Sequence, residues 1–224
     1  MSPHGWRLVT FDIDGTLTAV HGWRFLAQRT GRLAEFESTT QRFFAHEISE
    51  TEHLRDLLQL AVGLSIEEVE GILEDTPKVQ GIAETVEELQ ARGVRTALLT
   101  HNPRYVCEWY ERKYGFERSE ATEGASVRHG RVAPLGTIRA HKLGGLRSLL
   151  RALDIPAHEA LHVGDGWADA ALFAQMGGGI SFNSRWPEVD AAADATVKGS
   201  DLRLILPALD GLSPRPPNDA RASD

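Results

Sequence analysis

The run Phe11-Asp12-Ile13-Asp14-Gly15-Thr16-Leu17-Thr18 places two carboxylates two residues apart, where the apolar pair Leu8-Val9 leads into a Gly-Thr turn. On an extended strand residues i and i+2 share a face, so Asp12 and Asp14 aim at one spot. Carboxylates crowded in this way repel unless a cation joins them or a proton sits between them. The pair suits nucleophilic and acid/base chemistry around a hard metal ion and offers little to a folding core. A second acidic cluster, Gly164-Asp165-Gly166-Trp167-Ala168-Asp169, flanks Asp165 with glycines that permit a tight turn, and Asp169 follows one helical turn later. Magnesium takes oxygen ligands and keeps several waters, so two carboxylates and a main-chain carbonyl make a site for it. A turn with an aspartate as helix N-cap is the plainer reading of the same loop. Thr100-His101-Asn102 ends an apolar run against a helix start, which offers a hydroxyl and free N–H groups to a phosphate oxygen. Simple N-capping by Asn102 competes with that reading. Lys142, taken alone, is a solvated charge at the start of a helix.

The elements around these residues alternate. Segment 7–13 reads as a strand by its β-branched and apolar content. Residues 18–78 lose all strand signal: helices are expected over about 22–30 and 32–46, and the capping-box patterns Ser49-Glu50-Thr51-Glu52 and Ser65-Ile66-Glu67-Glu68 open two more. Beyond 79 the pattern predicts a helix over 82–92, a strand over 94–100 and a helix running to about Tyr114, with Asn102 as N-cap and Pro103 as its first residue. A hairpin over 126–132, a helix over 140–153, a strand over 160–163, a helix over 168–176 and strands at 180–182 and 195–197 complete it. The fold class is therefore α/β, with a mainly parallel sheet covered on both faces. Ligands of such sheets bind beyond the carboxyl ends of the strands, where Asp12/Asp14, Thr100 and Asp165 all fall. The expected organisation is a core of 1–17 with 79–210, a helical insert over 18–78, and a disordered proline-rich tail over 211–224.

Composition narrows the function classes. A formal charge of −8 leaves no basic excess for neutralising nucleic-acid phosphates. The lone Cys107 cannot form an internal disulfide, which fits a reducing compartment. No apolar run reaches the length of a membrane span and the start lacks a signal-peptide core, so a cytoplasmic protein with no membrane partner is expected. His158 and His162, four apart, straddle the start of a strand and share no helix face, so zinc is not indicated.

The order Asp-x-Asp-Gly-Thr, strand-ending Thr100, Lys142 and Gly-Asp-Gly-x-x-Asp resembles the four motifs of the haloacid dehalogenase superfamily of phosphatases, across residues 11 to 169. The insert after the first motif looks like that superfamily's helical C1 cap on a Rossmann-like core, and the phosphoserine phosphatase type is the most similar subgroup. The resemblance implies a Mg2+-dependent phosphomonoesterase acting on a small phosphorylated metabolite. It makes Asp12 the nucleophile that becomes an aspartyl-phosphate and Asp14 the general acid/base. Asp12, the Asp14 main-chain carbonyl and Asp165 would hold Mg2+ with Asp169 in support, and Thr100, His101, Asn102 and Lys142 would bind the phosphoryl group. The chain departs from the subgroup at His21, where a cap glutamate is expected, and at Ala168, where an asparagine is usual. His21, Trp23, Arg24 and Arg55 are the candidates for substrate selection, and phosphoserine is not expected to stand out as substrate. The rival readings are a phosphotransferase or mutase using the same aspartyl-phosphate, and a weakly active protein that binds a phosphorylated ligand.

Overall fold

The computed structural model describes residues 5–139 and 142–216. Six parallel strands form one sheet in the order β3-β2-β1-β6-β7-β8. These are β1 (Leu8–Phe11), β2 (Arg95–Pro103), β3 (Arg118–Thr122), β6 (Ala160–Gly164), β7 (Gly178–Phe182) and β8 (Ala195–Val197). Every residue of β1, β6 and β7 is buried, as expected of central strands covered on both faces. The period of two divides their side chains. Leu8, Ala97, Leu99 and Ala160 face α7 (Lys142–Leu153) and α8 (Trp167–Phe173). Val9, Phe11, Leu98, Leu161, Val163 and Ile180 face a larger core that includes α5 (Ile82–Ala91), α6 (Arg104–Tyr114) and α10 (Ile205–Asp210). A short helix, α9 (Pro187–Ala192), packs beside β7.

The chain runs outward from β1 through β2 to β3, then returns to β6 on the other side of β1. The ends of β1 and β6 thus flank the point where strand order reverses, the usual place for a ligand crevice in an open parallel sheet. Between β1 and α5 the chain makes α1 (Gly22–Arg29), α2 (Leu33–Phe44), α3 (Glu50–Gln59) and α4 (Ile66–Asp75). Both predicted capping boxes form: Ser49 and Ser65 each accept from the backbone N–H three residues on, and Glu52 and Glu68 accept in return. The apolar stripes of these helices, including Trp23, Leu26, Phe36, Leu54 and Leu58, join the larger core cluster.

This insertion meets the rest of the molecule at two backbone seams. Residues 17–19 pair with 77–79 through Ala19 N–H to Pro77 O (2.9 Å) and Val79 N–H to Leu17 O (3.1 Å). The hairpin β4 (Val127–Arg128) and β5 (Arg131–Val132) forms the other seam. There Ile66 N–H donates to Gly130 O, Val132 N–H to Leu64 O and Gly63 N–H to Val132 O, each at 2.9 Å.

Three expectations need revision, and a fourth lies partly outside the described residues. β3 is an edge strand of polar sequence that carries no alternation, so pattern reading passes over it. Asn102 is not a helix cap: β2 continues to Pro103, which itself stands at the N-cap of α6 in extended conformation. The helix predicted over 140–153 is described from Lys142, its first two positions lying outside the described residues. Of the tail expected to be disordered, 211–216 has defined contacts, since Arg215 donates to the Met176 carbonyl (3.0 Å) and its backbone N–H to Gly177 O (2.9 Å). Residues 217–224 lie outside the described residues.

Candidate active site

At the carboxyl edge of the sheet a cavity of about 750 Å3 opens between the strand ends and the insertion. Asp12, Asp14, Thr100, His101, Asn102, Lys142, Asp165 and Asp169 all line it, so strand ends far apart in sequence converge as expected. Asp12 directly follows β1 and extends its pairing, its N–H donating to Val163 O at 3.0 Å. Asp165 follows β6, and Thr16 donates to its Oδ1 at 3.1 Å. The Gly15 turn comes so close to Asp165 that a Cβ at position 15, already at φ +86°, would stand 2.3 Å from Asp165 Oδ2. Only glycine fits both the conformation and the space.

Lys142 is buried where α7 begins, its Nζ 3.0 Å from Asp12 Oδ2 and 2.7 Å from Asp169 Oδ1. Asp169 is fully buried and its carboxylate is saturated. Oδ1 also lies 2.9 Å from His162 Nε2, and Oδ2 accepts from the backbone N–H groups of Asp165 (3.1 Å) and Gly166 (2.9 Å). His162 in turn lies 2.7 Å from Thr10 Oγ1 through Nδ1. Sequence reading set His162 aside as one half of an unconvincing zinc pair. Its place is behind Asp169, where it helps fix the group that fixes both Lys142 and the Asp165 turn.

Asp14 faces a different set of partners. Its Oδ1 accepts from Gly22 N–H at 2.7 Å, the first turn of α1, and its Oδ2 accepts from Asn102 Nδ2 at 2.9 Å. These two bonds fix where the Asp14 carboxyl group points. A Cβ on Gly22 would stand 2.4 Å from Asp14 Oδ1, so a side chain there would push the carboxyl group off its bond to Gly22 N–H. Asn102 also donates to Thr100 Oγ1 (3.1 Å), which leaves the Thr100 hydroxyl hydrogen free for another acceptor. His101 lines the cavity with its Nδ1 3.8 Å from Glu50 of α3.

The four selection candidates separate. His21 and Trp23 line the cavity. Arg24 is exposed and lies 3.7 Å from Glu37, Arg55 is exposed, and neither lines the cavity. Helical spacing placed them near the site but did not show which way their faces turn.

Ligand oxygens of Asp12, Asp165 and Asp169 lie within 4.8 Å of one another, the cluster among the described residues with converging metal donors. Hard carboxylate oxygens are what a divalent cation such as magnesium takes. The electrostatics agree, because one lysine faces three acids. Burial, reinforced by the charges of Asp12 and Asp169, pushes the Asp165 carboxyl up to about 8. Asp12 is raised in the same way by burial, with Asp169 and Asp14 adding to it against Lys142. Burial also opposes the Asp169 charge, but Lys142 and the bond to His162 outweigh it and hold that carboxyl well below the usual range.

A pH dependence follows for the metal-free protein. Asp165 titrates near 8 when folded against 3.8 ordinarily, so between these values the native state keeps a proton that the unfolded chain releases. Stability therefore falls as pH rises from about 4 to 8. Asp165→Asn removes this dependence. Since Asp165 is partly open to solvent, about 2 kcal/mol is expected, a gain in melting temperature over wild type several degrees larger at pH 8 than at pH 5. An equal gain at both pH values in thermal unfolding with chelator present would rule out the acidic crowding.

Comparison with known proteins adds independent findings. A family model for haloacid dehalogenase-like hydrolases matches residues 6–177. The chain is similar to the phosphoserine phosphatase SerB2 of Mycobacterium tuberculosis, with 25% identity over 205 residues covering 89% of this chain and 49% of that protein. It is similar to the phosphoserine phosphatase of Archaeoglobus fulgidus at 26% identity, covering 88% of this chain and 58% of that protein. The chain thus spans about half the length of these two relatives. A shorter relative, the phosphoserine phosphatase of Idiomarina loihiensis, is 26% identical and is covered over 94% of its length by 92% of this chain. Among solved structures, a phospho-aspartyl intermediate analogue of phosphoserine phosphatase superposes with a TM-score of 0.75 at 25% identity, covering 91% of this chain and 98% of that one. A HAD family hydrolase from Salmonella enterica serovar Typhi shares the fold with a TM-score of 0.79 at 18% identity, covering 89% of this chain and 70% of that one.

Proposed function

The chain belongs to the haloacid dehalogenase-like hydrolases, and from this premise we propose that it is a Mg2+-dependent phosphatase that hydrolyses a small phosphate monoester through an aspartyl-phosphate on Asp12. The observation that carries the reading is the division of labour between two acids two residues apart. Asp12 sits against Lys142 in the acidic cluster, and Asp14 is turned onto Gly22 and Asn102.

In the first step a carboxylate oxygen of Asp12 forms a bond to phosphorus as the ester P–O bond breaks. Asp14 gives its proton to the departing alcohol oxygen. In the second step Asp14 takes a proton from the water that attacks phosphorus, and the Asp12–phosphorus bond breaks to release phosphate. Thr100 offers its free hydroxyl hydrogen to a phosphoryl oxygen, and Lys142 supplies a fixed positive charge where charge accumulates. Asp12, the Asp14 main-chain carbonyl and Asp165 would hold Mg2+, whose charge when bound neutralises the phosphoryl oxygens. Asp169 acts at one remove, through Lys142 and the two backbone N–H groups of the Asp165 turn.

The helical insertion forms the far wall of the cavity and serves as a cap that limits access of water. Among the described residues no helix is long and apolar enough to cross a membrane.

The test is release of phosphate from p-nitrophenyl phosphate. Hydrolysis should depend on added Mg2+ and fall on the order of a hundredfold or more in chelator. No release from any phosphate ester, in the presence of divalent cations, would overturn the reading.

A further inference from the structure

The far side of the cavity is aromatic. Phe44, at the end of α2, lies across the mouth from Trp167 at the start of α8 and from Trp186, which precedes α9. Ring centroids are 6.2 Å apart for Phe44–Trp167, 6.1 Å for Phe44–Trp186 and 4.4 Å for Trp167–Trp186. Phe44 and Trp167 nevertheless leave 44% and 48% of their surfaces open, although both line the cavity. Deeper in, Phe43 stacks flat on His53 with centroids 4.7 Å apart and an interplanar angle of 6°. Burial, together with the nearby His21, lowers the His53 pKa, so that ring is uncharged at neutral pH.

Four charged side chains line the cavity besides the site aspartates, Glu50, Lys78, Lys142 and Arg185, and of these Glu50 lies 3.8 Å from His101 Nδ1. Lys142 is engaged by Asp12 and Asp169, and the Lys78 ammonium is turned onto the carbonyls of Leu73, Glu74 and Thr76. Arg185 lies over the Trp186 ring at 5.2 Å. No arginine of the insertion lines the cavity among the described residues. A buried carboxylate or ammonium without a partner is costly, whereas a flat uncharged ring finds faces and edges to stack against. The volume, about 750 Å3, is also that of cavities which enclose ligands much larger than a three-carbon ester.

We propose that the substrate is a phosphate monoester whose alcohol carries a planar, uncharged aromatic ring, held against the exposed surfaces of Phe44, Trp167 and Trp186 while the phosphoryl group sits at Asp12. This rests on the phosphatase reading above and sets the substrate class apart from the amino-acid ester for which the relatives are named. The half-open rings then have an occupant, and they line the same cavity as Asp12 and Asp165.

The experiment compares alkyl esters whose leaving oxygens are similarly basic: 2-phenylethyl phosphate, 2-cyclohexylethyl phosphate, propyl phosphate and O-phosphoserine, with p-nitrophenyl phosphate as a general reporter. The expected result is a kcat/KM for the phenyl ester about tenfold or more above those of the propyl ester and phosphoserine, and clearly above that of the cyclohexyl ester. In Trp186→Ala, and separately in Phe44→Ala, the ratio of phenyl to propyl ester should collapse toward one. If phosphoserine is preferred, or the cyclohexyl ester matches the phenyl ester, the inference is overturned and the phosphatase reading stands. If the ratio survives in folded Trp186→Ala and Phe44→Ala proteins, the aromatic seat is overturned. If a variant fails to fold, the wild-type ranking of the four alkyl esters decides alone. If no ester at all is hydrolysed, the phosphatase reading fails and the inference fails with it.

Discussion

Asp12→Asn abolishes turnover: phosphate release should fall by about 10^4-fold or more, the scale seen when a covalent nucleophile is removed. The amide has the same shape but no nucleophilic oxygen anion, so no covalent phosphoprotein should form. Acid-quenched wild-type protein should carry phosphate on Asp12 that hydroxylamine removes, and the variant should carry none. Folding should survive the change. Lys142 keeps its 2.7 Å partner Asp169, and the acidic cluster loses one of its mutually repelling members. Asp14→Asn should behave differently. With p-nitrophenyl phosphate, whose leaving group needs no proton, phosphorylation of Asp12 proceeds while the water step stalls, giving a burst of product followed by a slow steady state. Full activity in Asp12→Asn would remove the nucleophile assignment; absence of a burst in Asp14→Asn would remove the general-base role.

The second large effect is on folding as well as rate. Lys142→Met keeps the length of the side chain but leaves Asp12 and Asp169 without their shared cation in a buried setting. Stripping one partner from a buried ion pair typically costs about 3–5 kcal/mol, or on the order of 10 °C in melting temperature for a chain of this size. Turnover should fall by a further factor of about 10^2–10^3, the usual cost of losing a fixed charge aimed at a developing anion. Millimolar Mg2+ should restore part of the lost melting temperature, since a ligand of the native state stabilises by mass action. Thermal unfolding with and without Mg2+ decides this: an unchanged melting temperature in metal-free variant protein would mean that Lys142 does not hold the acidic cluster together.

The parts of the site carried by contiguous residues were legible in sequence. Asp12 and Asp14 are two apart at a strand end, Asp165 lies between glycines, and these local patterns dictate local geometry. The capping boxes at Ser49 and Ser65 were legible for the same reason. What escaped was long-range. Asn102 before Pro103 carries the signature of a helix cap, yet its amide is committed to Asp14, 88 residues away in sequence. His162, four residues from His158, invites only a zinc reading that its strand position rejects, and the fold alone brings it to Asp169. Phe44, Trp167 and Trp186 belong to three separate segments, so no spacing rule could assemble them. Arg24 and Arg55 erred in the opposite direction, because proximity along a helix does not choose its face.

The two backbone seams have a mechanical consequence. A single paired ribbon, such as 17–19 with 77–79, lets an attached body tilt in any direction. A second fastening, here the strand-like pairing of Leu64, Ser65 and Ile66 with Gly130, Arg131 and Val132, holds the insertion at a second place far from the first in sequence. The insertion is thus fastened to the core on two sides, and Phe44, at the end of α2, meets Trp167 and Trp186 of the core. Any shift of the insertion against the core must therefore change the contacts that Phe44 makes with Trp167 and Trp186.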